Sequence, residues 1–162
     1  ASVHTHLILQ KLRTFTSINV RSGECLDVHY FAVLIGVGST TINAYLAEEA
    51  IADRHRLGLF DNMGLDECLQ RYQKAVGDGL LKVMSKMGIS VINSYRGGYI
   101  FEAVGLSRSL VAEFFPGMTS RISGIGLPGL QKNILAQHKK AFNSNIIAHP
   151  ARPSRAMLQV SR

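Results

Sequence analysis

The chain has 162 residues, 46% of them hydrophobic and 18% charged, with 15 Gly, 4 Pro and 2 Cys. This length and apolar content suit one domain with a buried core, or a substantial piece of a larger one, and exclude a disordered or collagen-like chain. The formal net charge is +7, and no apolar run approaches the roughly 20 residues that span a bilayer.

Residues 2–12 read as a short helix, and Thr14 to Val20, rich in β-branched residues, as a strand followed by a turn over Arg21 to Glu24. The run from Cys25 to Val37 is so uniformly apolar that periodicity leaves buried helix and buried strand equally open, and Gly36 and Gly38 end it either way. Thr40 or Thr41 is expected to cap the next helix, with Ile42, Tyr45, Leu46 and Ala50 on one face and Arg54, His55 and Arg56 in its last turn. Leu65 to Met87 carries the clearest helical pattern. Asp66 and Glu67 sit at its positive end, and Lys82 and Lys86 at its negative end. Gly77 and Gly79 interrupt this helix at about 1 kcal/mol each relative to Ala, which points to a packed neighbour. Ile89 to Ile92 reads as a short buried strand, Asn93 to Gly98 as a loop, and the residues up to Val104 as a further apolar-periodic segment. Ser107 caps a short helix to Phe115, and Pro128 opens a last helix carrying Leu130, Ile134 and Phe142. The pattern decays from Asn143, so residues 143–162 are expected to be a basic, extended or mobile tail. The element order indicates an α/β, helix-rich fold with few short strands.

The charge excess is local. Residues 1–113 hold 11 Lys/Arg and 11 Asp/Glu, whereas residues 114–162 hold 7 Lys/Arg and no acid. Arg121, Lys132, Lys139, Lys140, Arg152, Arg155 and Arg162 are too dispersed to focus a field on nucleic acid, and a solvated face with a basic tail accounts for them better. Cys25 and Cys68 lack the spacing of a zinc site or an iron–sulfur cluster and read as reduced thiols of a cytoplasmic protein. Cys25 lies one helical turn before His29, a weak case for a thiol–imidazole pair. His29 itself reads as a satisfied core histidine, and His4 and His6 as surface or hydrogen-bonding groups. Glu49 and Asp53 resemble an acid–base pair, but Arg56 is placed to neutralise them on the helix surface. Gly124-Ile-Gly-Leu-Pro-Gly129 has the GxGxxG form, yet Thr119 to Ser123 is a poor strand and no acid follows Glu113, so turn glycines are favoured over a phosphate cradle. No catalytic, cofactor-binding or metal-binding residue emerges. The most distinctive local feature is Ser94-Tyr-Arg-Gly-Gly98, where a hydroxyl, a phenol and a guanidinium emerge beside glycines that admit an anion or another backbone.

Ser22-Gly-Glu-Cys-Leu-Asp-Val-His-Tyr-Phe-Ala-Val-Leu-Ile-Gly-Val-Gly38, Ile42-Asn-Ala-Tyr-Leu-Ala-Glu-Glu-Ala-Ile51 and Gly79-Leu-Leu-Lys-Val-Met-Ser-Lys-Met-Gly-Ile-Ser90 closely resemble the large subunit of glutamate synthase. Ser94 to Leu106 and Phe115 to Leu127 do so as well. The resemblance covers residues 3–142 and corresponds to the carboxyl-terminal part of the central domain, just before the flavin-binding domain; residues 143–162 fall outside it. The missing initiator Met and the immediate helical pattern fit a chain that begins inside a longer polypeptide, with amino-terminal processing as the alternative.

The resemblance implies a parent enzyme that releases glutamine's amide nitrogen as ammonia, joins it to 2-oxoglutarate and reduces the product to glutamate. FMN and a 3Fe-4S cluster are expected elsewhere in that parent, with none on this segment. Residues 1–142 are therefore expected to be part of a linking domain between the glutaminase and FMN domains, inactive alone, with the other domains of the large subunit as partners. Lys82, Lys86, Ser94, Tyr95, Arg96, Gly97 and Gly98 are the candidate domain-interface residues. The competing expectations are a small basic protein that binds an acidic partner or nucleic acid, and a self-sufficient flavoenzyme.

Overall fold

A computed structural model describes residues 1–142; the expected tail at 143–162 lies outside the described residues. Residues Ala1–Gly124 form one compact unit, and a second begins at Ile125. The fold is a helix-rich α/β arrangement with two separate two-stranded sheets.

The first unit opens with α1 (Ser2–Leu9). Strand β1 is only Asn19–Arg21, so Thr14 to Ser17, expected to be extended strand, carries no ladder. The open question at Cys25 to Val37 resolves to a helix, α2 (Val28–Gly36), because Asp27 caps it by accepting bonds from the backbone N–H groups of His29 at 2.9 Å and Tyr30 at 3.3 Å. Thr41 belongs to a strand, β2 (Thr41–Asn43), and is not a helix cap. β2 runs parallel to β1, with Val20 opposite Ile42, and α2 forms the crossover that parallel strands require. The helix expected there begins later, as α3 (Tyr45–Arg56).

Helix α4 (Leu65–Lys86) runs through both internal glycines. Ion pairs Glu67–Arg71 at 2.8 Å and Lys74–Asp78 at 2.9 Å line its solvent side at the favourable i,i+4 spacing. The expected strand at Ile89 to Ile92 is absent: a turn leads into α5 (Ile92–Tyr95). The apolar-periodic segment expected up to Val104 runs into a strand, β3 (Glu102–Leu106). Ser107 caps α6 (Arg108–Phe114) by accepting from the Leu110 N–H at 3.3 Å. Thr119 to Ser123, expected to be a poor strand, lies within β4 (Thr119–Ile125), which pairs with β3. Helix α7 (Leu127–Ala141) follows, with Pro128 in its first turn.

Two small clusters form the core. Cys25, Ala44 and Ala47 pack with Phe31, Leu34, Ile42 and Tyr72, while Ala32, Met84 and Tyr95 pack with Ile35, Leu80, Val83, Ile92 and Phe101. Helix α2 contributes to both clusters, Phe31 and Leu34 to one and Ala32 and Ile35 to the other, which explains why apolar residues run consecutively from Phe31.

Candidate functional site

The loop Ser94–Gly98 is held from beneath by helix α2. Tyr95 is fully buried at 0% exposure. Its hydroxyl donates to the Ala32 carbonyl at 3.1 Å, and its ring meets Phe101 edge-on at 6.3 Å. Burial raises the phenol above its ordinary value of 10.0, so the group remains a neutral donor. Tyr95 was expected to face a neighbouring domain. Its ring instead completes the core, because the short helix α5 turns that position onto α2 and α4.

Two further bonds fix the loop's exit. The Gly97 N–H donates to Ile35 O at 3.0 Å, and the Tyr99 N–H to Gly36 O at 3.2 Å. Both carbonyls belong to the last turn of α2: Ile35 O also accepts from the Gly38 N–H at 3.0 Å, whereas Gly36 O lies past the helix's own ladder and takes the loop as its donor. Gly97 has φ +69°, and a Cβ there would lie 3.0 Å from His4 Nε2. The imidazole of His4 accepts at Nδ1 from Arg13 Nε at 2.9 Å. Arg13 also donates to Thr16 O at 2.6 Å and to Gly38 O at 2.8 Å. One guanidinium thus ties α1, the chain before β1 and the turn after α2 to the underside of the loop. Burial first, then the charges of Arg13 and the Ala1 amine, lower the His4 pKa from 6.5, keeping its acceptor nitrogen free.

The outer surface is sparser. Ser94 and Gly98 are exposed, and Arg96 is half-buried. Arg96 donates to Asn93 Oδ1 at 3.3 Å, while its buried Nε has no partner among the described residues. Lys82 and Lys86 are exposed on α4, and no ion pair among the described residues includes either. The structure therefore places Tyr95 in the core, ties Gly97 to α2 by a backbone bond, leaves Arg96 half-buried, and exposes Ser94, Gly98 and the two lysines.

The other candidates are absorbed by the fold. Cys25 and Cys68 are free and buried. Cys25 precedes α2, and His29 is exposed, so the pairing across one helical turn is not formed and His29 is no core histidine. Asp53 pairs with Arg56 on the surface of α3. In the GxGxxG stretch, Gly124 lies against the backbone of Gly105, and Gly129 against Ile125. No group of three His, Cys, Asp or Glu able to hold a metal occurs among the described residues. No described helix is long and apolar enough to cross a membrane.

The family model for the glutamate synthase central domain matches residues 1–107. The chain belongs to this family. It is 68% identical over 92% of its length to the glutamate synthase (NADPH) large chain of Azospirillum brasilense. It is 42% identical over 90% of its length to the corresponding large chain of Bacillus subtilis. The chloroplastic ferredoxin-dependent glutamate synthase of Spinacia oleracea shows 38% identity over 89%. The chain spans only 10%, 10% and 9% of these relatives' own lengths. Within the central-domain match, Arg13 is the position the sequence did not single out, while His4 is a hydrogen-bonding histidine as expected. Arg13 carries no periodic signal, and its partners His4 and Gly38 lie nine and 25 positions away.

Proposed function

We propose that the chain is a structural, linking segment of a glutamate synthase large chain, set between its glutaminase and FMN domains and without catalysis of its own. The observation that carries this reading is the likeness of 92% of the chain to one tenth of a much longer large chain. In the parent reaction, glutamine's amide nitrogen passes to 2-oxoglutarate and a reductant yields glutamate. The resemblance assigns FMN to another part of that polypeptide, and the 3Fe-4S cluster is assigned there too, since two buried thiols are too few to ligate it here. Two buried cysteines that form no disulfide suit a reducing setting, and a cytoplasmic location is part of the same proposal.

The contact surface toward the flavin domain comprises Lys82, Lys86, Ser94, Arg96 and Gly98, with Tyr95 and Gly97 holding the loop in place from below. The purified chain is expected to be colourless and to release no ammonia from glutamine. In the full-length parent, Arg96→Glu is expected to lower the number of flavin turnovers per glutamine hydrolysed. Unchanged coupling removes the interface assignment. Salt-sensitive nucleic-acid binding by the purified chain would favour the competing small binding protein.

A further inference from the structure

Gly77 and Gly79 lie two positions apart in α4 and have opposite surroundings. A Cβ at Gly79 would overlap Val28 Cγ2 and lie 2.8 Å from Cγ1, so this glycine lets α2 and α4 approach. A Cβ at Gly77 would meet nothing within 4 Å. Nothing among the described residues therefore accounts for a glycine in the interior of a 22-residue helix, where it is a poor helix former.

Gly77 opens instead onto a groove of about 350 Å³ between α2, β2, α3 and α4. Phe31, Ile42, Tyr72, Val76 and Leu80 supply apolar walls, and Glu48 and Gln73 supply polar groups. Glu48 is half-buried, yet no ion pair among the described residues includes its carboxylate. A half-buried carboxylate among apolar walls is complementary to a cation carried on an apolar segment.

We infer that the groove receives a segment of the parent large chain from outside residues 1–142. That segment lays its backbone against Gly77, fills the groove with apolar side chains and pairs a Lys or Arg with Glu48. The inference rests on the linking role proposed above. The relatives are about ten times as long as the matched stretch, so most of the parent polypeptide is available as occupant.

The test is photo-crosslinking in the full-length large chain that carries this segment. Benzoylphenylalanine replaces Gln73 in one variant and Arg96 in another, in a mixture of isotopically light and heavy chains. The Gln73 adduct is expected within one polypeptide, on an apolar stretch outside residues 1–142 that contains a Lys or Arg. Gly77→Leu is expected to reduce its yield about tenfold, the change that 1.4 kcal/mol of lost contact produces. Gly77→Ala, which helix propensity favours, is expected to reduce it measurably with the fold intact, and Glu48→Gln to make it insensitive to salt. Adducts joining light to heavy chains, or yields indifferent to Gly77→Ala, overturn the inference. Absence of a Gln73 adduct while the Arg96 adduct persists overturns the groove alone; absence of both overturns the linking role as well.

Discussion

Replacing Gly77 and Gly79 separately by Ala separates helix propensity from packing within one helix. Each substitution gains about 1 kcal/mol of propensity. At Gly77 the new methyl enters open space, so Gly77→Ala is expected to stabilise the chain by about 0.5–1 kcal/mol. At Gly79 the methyl overlaps Val28, and overpacking costs about 1–3 kcal/mol. The net change for Gly79→Ala is therefore about 0–2 kcal/mol of destabilisation. Urea denaturation of the chain, followed by far-UV circular dichroism, is expected to move the two midpoints in opposite directions without changing the slope. Val28→Ala removes the Cγ atoms responsible, so the Val28→Ala/Gly79→Ala pair is expected to show a favourable coupling of about 1 kcal/mol or more. Equal midpoint shifts for the two glycine variants, or zero coupling with Val28, would refute the argument.

Three further substitutions test the support beneath the loop. Tyr95→Phe removes the bond to Ala32 O with its ring packing preserved, and is expected to cost about 0.5–1.5 kcal/mol; a neutral result in urea denaturation would show that the hydroxyl contributes nothing there. Gly38→Ala places a side chain at φ +109° and drives it into the His4 ring, for an expected loss of about 2 kcal/mol or more. Gly105→Ala, at φ +80° with nothing within 4 Å, is expected to lose less, and a reversed order would refute the His4 contact. For His4, the folded-state pKa lies below 6.5, so the unfolded chain takes up the proton first as pH falls. The stability from neutral His4 is full above about pH 6.5 and declines as pH drops from there toward the lowered value. The denaturation midpoint of the chain minus that of His4→Asn is expected to shrink across this window and not above it.

The long elements were legible because their signals are local. Leu65 to Met87 repeats its apolar residues at helical spacing, and Ser107 precedes its helix as a cap; both features stand in the structure. The Asp27 cap was equally available and settles the ambiguity of Cys25 to Val37 in favour of helix. The errors fall where a neighbour distant in sequence decides. Thr41–Asn43 is strand because Asn19–Arg21 lies beside it. Glu102–Leu106 is strand because Thr119–Ile125 supplies its partner. Three to seven residues carry too little pattern to announce such pairings.

The same distinction governs the candidate site. The loop Ser94–Gly98 stood out by composition, but composition does not tell a residue that faces a neighbour from one that anchors the loop, and Tyr95 proves to be an anchor. Arg13 joins segments whose contacts are far apart in sequence, so no spacing rule finds it. Residues that break a helix's period carry a usable signal. In α4, Leu80 fits the apolar stripe and packs in the core, whereas Leu81 falls off the stripe and is 65% exposed. Gly77 is a second departure, a small residue where the chain's own packing asks for none. An isolated exposed Leu is ordinary on a helix surface, so the departure that asks for an explanation is Gly77, which gives up helix propensity for no contact within the described residues. The groove occupant proposed above would account for it, because a backbone laid against Gly77 needs the room that any side chain there would fill.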